Sequence, residues 1–143
     1  AAAGGRGMKK LATYCGLGVL WWLHWLPLPW LRALGKVLGR LLFIFGRERR
    51  QVALTNLRLC FPALSEVDRE QLARRHFVAF AQAVLDRTLG WWAPRGRLER
   101  LIRLRGGEHL PSADGRPTIL LAPHFVGLDA GGTRMTMETP VCS

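Results

Sequence analysis

The chain has 143 residues, 49% of them hydrophobic and 22% charged, and its 21 Lys and Arg against 10 Asp and Glu give a net charge of +11. That length bounds it at one domain, and so apolar a composition excludes a disordered basic tail, which lacks the side chains to bury. Cys15, Cys60 and Cys142 are too few and too widely spaced for a disulfide framework, and no CxxC or Cys/His cluster suggests zinc. A reducing, cytoplasm-facing location is the simplest reading.

Residues 1–50 carry nine basic residues and one acid, Glu48, a net of +8, whereas residues 51–143 carry twelve and nine, a net of +3. The anionic partner implied by this excess is therefore met mainly by the N-terminal third. Residues 1–7, AAAGGRG, read as an upstream leader, with Met8 as the native start. Leu11 to Leu31 is free of formal charge and about long enough to span roughly 30 Å of hydrocarbon as a helix. Pro27 and Pro29 are expected to end the helix near Leu26, however, leaving about 24 Å. Trp21, Trp22, Trp25 and Trp30 crowd that end, where indoles favour the headgroup level. The segment reads as an uncleaved membrane anchor, the alternative being a buried core helix. Whether it crosses fully or dips in is left open by the pattern.

Leu31, Leu34, Leu38, Leu41, Leu42 and Phe45 recur at three- and four-residue spacing, with Arg32, Lys36 and Arg40 stacked on another face. That is the pattern of a basic amphipathic helix in the membrane interface, its cations near lipid phosphates. Gly35 and Gly39 form a GxxxG, too weak a signal by itself to imply helix pairing. Three basic residues precede the apolar stretch and six follow it, which puts the downstream side in the cytoplasm.

Beyond Pro62 the composition becomes that of a soluble domain. Ser65 with Asp68 three residues on predicts a helix cap, and Ala73, Phe77, Phe80, Ala81, Val84, Leu85 and Thr88 predict one buried face, the helix ending at Gly90 to Pro94. Leu101 to Arg105 is a candidate short strand, and Pro111 to Pro117 a loop. Thr118 to Ala122, a β-branched and aliphatic run between turn residues, predicts a strand buried on both faces. It delivers His124 at its C-terminal end, where open α/β sheets place ligand sites. Gly127 then permits a tight turn, and Leu128 to Met137 can start a helix with Asp129 in or near its first turn.

On one continuous helix, residues five apart diverge by about 140°. With a strand end, a turn and a helix start between them, His124 and Asp129 can converge. Imidazole then takes a proton from a hydroxyl while the carboxylate on its other nitrogen fixes the tautomer and stabilises the imidazolium. His109 and Asp114 have the same HxxxxD spacing but lie among Pro111, Ser112 and Gly115, with nothing to pre-organise them. Context selects His124. The bland reading is a histidine satisfied at a strand end and an acid at a helix terminus.

The order of a basic membrane-proximal N-terminus, then RRQVALTNLRLCFPALSEVDREQLARRHF, LRGGEHL and ILLAPHFVGLDAGG resembles the bacterial lipid A biosynthesis acyltransferases, the lauroyl/myristoyl (HtrB-type) enzymes. The resemblance runs from about Met8 to Ser143, and NLRLCFP and HFVGLD are its most specific parts. It implies transfer of a fatty acyl chain from acyl carrier protein to a hydroxyl of a lipid A precursor, at the cytoplasmic face of the inner membrane. His124 matches the family's general base and Asp129 the acid that orients it. No metal or dissociable cofactor is implied, and backbone N–H groups around Phe125 to Leu128 are candidates for stabilising the developing oxyanion.

The expected fold class is α/β: N-terminal membrane-associated helices, then the first part of an HxxxxD acyltransferase domain. The expected boundaries are a leader over 1–7, an anchor and basic amphipathic helix over 8–50, and an incomplete acyltransferase domain over 51–143. Family members run to roughly twice this length, on the scale of a larger single domain. Residues 1–143 alone are accordingly expected to be inactive and poorly folded in solution. Competing readings are a glycerolipid acyltransferase and a non-enzymatic basic membrane-surface protein. Nucleic-acid binding is disfavoured, because the basic residues lie beside an apolar anchor rather than around stacking aromatics.

Overall fold

The computed structural model describes residues 3–106 and 119–139. Six helices follow in order: α1 (Ala3–Leu23), α2 (Leu28–Phe45), α3 (Arg47–Cys60), α4 (Glu66–Trp92), α5 (Arg95–Leu101) and α6 (Leu128–Thr136). They fall into two compact units, one formed by Leu26–Leu85, the other by the chain up to Trp25 together with the chain from Asp86 onward.

In the Leu26–Leu85 unit, Pro27 is the N-cap of α2 and Pro29 lies in its first turn, where a missing N–H costs nothing. The helix buries Leu31, Gly35, Gly39 and Phe43, a strict four-residue repeat, while Leu38, Leu41, Leu42 and Phe45 of the leucine stripe read as membrane-facing stay exposed. The reason is close backbone packing. A Cβ on Gly39 would lie 2.5 Å from the Val78 Cα and 2.7 Å from the Phe77 carbonyl oxygen, and one on Gly35 2.6 Å from the Gln82 Cγ. The GxxxG is thus the seat on which α4 crosses α2. Gln82 Nε2 donates to the Arg32 carbonyl at 3.0 Å on one side of the crossing. On the other, Phe43 meets Phe77 edge-on at 5.5 Å between centroids. Phe43, Ala73 and Phe77 form a buried cluster on which Ala53, Leu54 and Leu57 of α3 pack. The Arg50 and Arg74 guanidinium groups lie over the Phe43 ring, 5.3 and 4.4 Å from its centroid.

The NLRLCFP stretch, opaque as chemistry, has a structural role. It ends α3 and turns the chain at Phe61 and Pro62, whose carbonyls accept from Arg69 at 3.3 and 2.9 Å. Arg69 is only 11% exposed there and also pairs with Glu66 at 2.8 Å. The hydrogen bond from Arg58, with the charge of Arg69 nearby, holds the Glu66 carboxyl below its ordinary pKa. The Ser65 cap is as expected: its Oγ accepts the Asp68 N–H at 3.1 Å and donates to Asp68 Oδ2 at 2.6 Å. Ser65→Ala should cost about 1 kcal/mol, read as a lower urea midpoint at unchanged slope, and Ser65→Thr should recover most of it.

Helix α4 buries Ala73, Phe77, Ala81, Leu85, Thr88 and Leu89, while Phe80 and Val84, expected on that face, are exposed. It runs through Gly90, so Pro94, not the glycine, stops it. In the second unit His24 is 3% exposed, against the rings of Trp21, Trp25 and Trp92. Its carbonyl accepts a hydrogen bond from Arg97 Nη1.

The expected fold class is overturned. The α/β class fails, because the described residues contain six helices and no strand. Leu101 is the last residue of α5, since Leu98 and Leu101 sit one turn apart on a helix begun after Pro94. Residues 119–122 form irregular backbone, with Ile119 and Leu121 each 96% exposed. A β-rich composition makes a strand only where a neighbour accepts its ladder and covers its faces, and no described residue does so here. Thr118, and the His109 and Asp114 pair, lie outside the described residues. On crossing the membrane, which the sequence pattern leaves open, no described helix is long and apolar enough to span one. Helix α1 ends at Leu23, before the prolines, and starts at Ala3. Its charge-free part, residues 11–23, is about 20 Å long at the helical rise, short of a hydrocarbon core.

Candidate active site

His124 and Asp129 are brought to one turn and the helix that follows it. Pro123 precedes His124, and the Phe125 N–H folds back onto the Pro123 carbonyl at 2.8 Å. The Leu128 N–H then closes onto the Phe125 carbonyl at 3.1 Å. Between them Gly127, the N-cap of α6, has φ 95° and ψ 2°, a left-handed conformation that costs a side-chain-bearing residue strain. The turn thus needs glycine for its backbone angles, not for room, since nothing lies within 4 Å of a Cβ built there.

His124 projects from this turn exposed, with no hydrogen bond to a described residue, and Asp129 lies exposed in the first turn of α6. Among the described residues no hydrogen bond joins the two. The Asp129 carboxylate instead accepts through Oδ2 from Arg87 Nε of α4 at 2.5 Å. Of the four backbone donors expected around the site, those of Phe125 and Leu128 are engaged within the turn. Those of Val126 and Gly127 have no acceptor among the described residues.

Helix α6 is seated by arginines. Arg95 Nη2 donates to the Met137 carbonyl at 2.9 Å, and Arg134 Nε to the Ile102 carbonyl at 3.1 Å. Glu99 holds Arg95 by a 2.7 Å bond, which raises the guanidinium pKa and keeps the Glu99 carboxyl below its usual range. A Cβ on Gly90 would stand 3.5 Å from Thr133 Oγ1, an ordinary contact that places α6 along the end of α4. Sequence reasoning missed Arg87, whose partner is 42 residues away; on the chain it is one more arginine on the polar side of a helix.

The protein-family model of the bacterial lipid A biosynthesis acyltransferases matches residues 6–142. The chain belongs to that family. Among curated relatives it is similar to the Escherichia coli (strain K12) lipid A biosynthesis lauroyltransferase, 32% identical over 130 residues, covering 90% of this chain and 42% of that protein. It is 32% identical over 131 residues to the palmitoleoyltransferase of the same strain, with 90% and 43% covered. To the myristoyltransferase of that strain it is 43% identical over 114 residues, covering 77% and 33%. The chain spans less than half the length of these relatives. No solved structure matches it. The family resemblance read from the sequence is therefore upheld, and this family member carries His124 and Asp129 at HxxxxD spacing.

Proposed function

We propose that the protein is the acyltransferase its family membership suggests, moving a fatty acyl chain from an acyl carrier protein thioester to a hydroxyl of a lipid A precursor. The observation that carries this reading is His124, exposed on a Gly127-dependent turn with Asp129 five residues on at the start of α6, inside a family match over residues 6–142. His124 takes the hydroxyl proton as the oxygen attacks the thioester carbonyl. A C–O bond forms, the C–S bond breaks, and the proton passes to the departing thiolate. Asp129 orients the imidazole. The N–H groups of Val126 and Gly127, which have no acceptor among the described residues, are the donors for the carbonyl oxygen as it gains charge, a narrower set than Phe125 to Leu128. The thioester supplies an activated acyl group, so the step asks for no dissociable cofactor.

The same reading places the protein on the cytoplasmic face of the inner membrane. Leu11, Tyr14 and Val19 of α1 and Trp30, Val37 and Phe45 of α2 are exposed, and Arg32, Lys36 and Arg40 stand exposed among the latter. Apolar side chains entering the headgroup region, with cations at the phosphates, suit a helix lying in the interface.

The test is acceptor choice. The full gene product, given acyl carrier protein thioester, is expected to acylate a lipid A precursor, seen as the added acyl mass by lipid mass spectrometry, and to leave glycerol 3-phosphate unchanged. Acylation of the glycerol acceptor alone would replace this reading with a glycerolipid acyltransferase.

A further inference from the structure

We propose that Arg87 is a positioning residue for acyl transfer, acting through Asp129; the proposal rests on the acyl-transfer reading above. A carboxylate on the first turn of a helix rotates freely unless something holds it. Arg87 Nε holds Oδ2 at 2.5 Å, and no described residue bonds Oδ1. One oxygen is thus fixed from α4, and the other is left to accept the imidazole N–H.

The pair is not an isolated surface contact. Gly90 lies one turn beyond Arg87 on α4, and Thr133 one turn beyond Asp129 on α6. A Cβ built on Gly90 would stand 3.5 Å from Thr133 Oγ1, so the two helices run side by side in the same register there. Thr133 Oγ1 in turn donates to the Asp129 carbonyl at 2.8 Å, tying that contact back to the acid's own backbone. Arg95 and Arg134 secure the far end of α6 through the Met137 and Ile102 carbonyls. The helix that carries the acid is therefore seated along its length, and Arg87 is the one of these arginines that touches the carboxylate itself.

Stability alone does not account for the pair. Its side chains are 52% and 59% exposed, and exposed ion pairs contribute little to folding. Arg87 also has a cost: its charge tempers the carboxylate's hold on an imidazolium. A fixed carboxylate plane is the gain that offsets it, because acid and base efficiency depends first on geometry.

The experiment compares Arg87→Met, Arg87→Lys, Asp129→Asn and the Arg87→Met/Asp129→Asn double variant in the full gene product, with acyl carrier protein thioester and lipid A precursor. Arg87→Met should lower kcat about tenfold, a fraction of what a positioned acid/base supplies, with KM for the donor unchanged. The lysine variant should recover most of the rate. In the Asp129→Asn background the same substitution should have almost no further effect, and every variant should melt within about 2 °C of the parent. An undiminished kcat, an equal loss in the Asp129→Asn background, or a rate loss matched by a lower melting temperature would overturn the proposal. Full activity in Asp129→Asn would instead sink the catalytic reading of the pair, so the two failures are distinguishable.

Discussion

His124→Ala in the full gene product should lower acyl transfer to a lipid A precursor by about 10²–10⁴-fold, the contribution typical of a positioned general base. The loss should fall on kcat, since imidazole's role is in the step where the hydroxyl loses its proton, not in holding the donor. His124 is exposed and makes no hydrogen bond to a described residue, so its removal leaves no cavity and no stranded polar partner. The variant should therefore melt with the parent. The direct measurement is lipid mass spectrometry in a strain lacking its own enzyme. Undiminished acylation there would return His124 to a structural role and remove the general-base assignment.

The largest effect on stability is expected at Gly39. A Cβ there meets main-chain atoms at 2.5, 2.7 and 2.8 Å, which belong to Val78 and to the Phe77 carbonyl and cannot swing aside. Gly39→Ala should force α2 and α4 apart and disturb the Phe43–Phe77 contact beyond it, costing about 1–3 kcal/mol, with a β-branched residue costing more. Gly16→Ala is the matched control. Gly16 also lies inside a helix but has nothing within 4 Å of its would-be Cβ, so there alanine's propensity should act alone and add about 0.5–1 kcal/mol. Denaturant unfolding of both in the full gene product should give opposite signs. Equal effects would show that the glycine serves something other than the crossing.

What the chain announces locally, it largely keeps. The Ser65 cap is formed, because a hydroxyl reaches a backbone N–H three residues on without help from elsewhere. Pro94 ends α4 for an equally local reason. Gly127 adopts the positive φ that the turn after His124 demands, and Asp129 falls in the first turn of α6 as its position relative to that glycine requires. The buried face of α4 was legible at Ala73, Phe77, Ala81, Leu85 and Thr88, because these residues recur at helical spacing as a single stripe.

Helix α2 shows where that legibility stops. Away from the Arg32, Lys36 and Arg40 stripe it is apolar, so periodicity offers more than one face for packing, and the leucine stripe, read as facing the membrane, does not mark the face buried against α4. The choice was made by α4, whose backbone fits only against the two glycines. Residues 119–122 failed for a related reason: a strand is a property of a pair of segments, and aliphatic side chains at 96% exposure record that no described neighbour is there. The sequence by itself determined the family, through motifs spread along the chain, and the HxxxxD spacing, caps and turns, which depend on residues within a few positions of one another. The tertiary structure decided which face of α2 is buried, that the described residues form helices and no strand, and that the Asp129 carboxylate is met by Arg87. Each of those depends on atoms brought together from distant parts of the chain, and no local spacing encodes a partner 42 residues away.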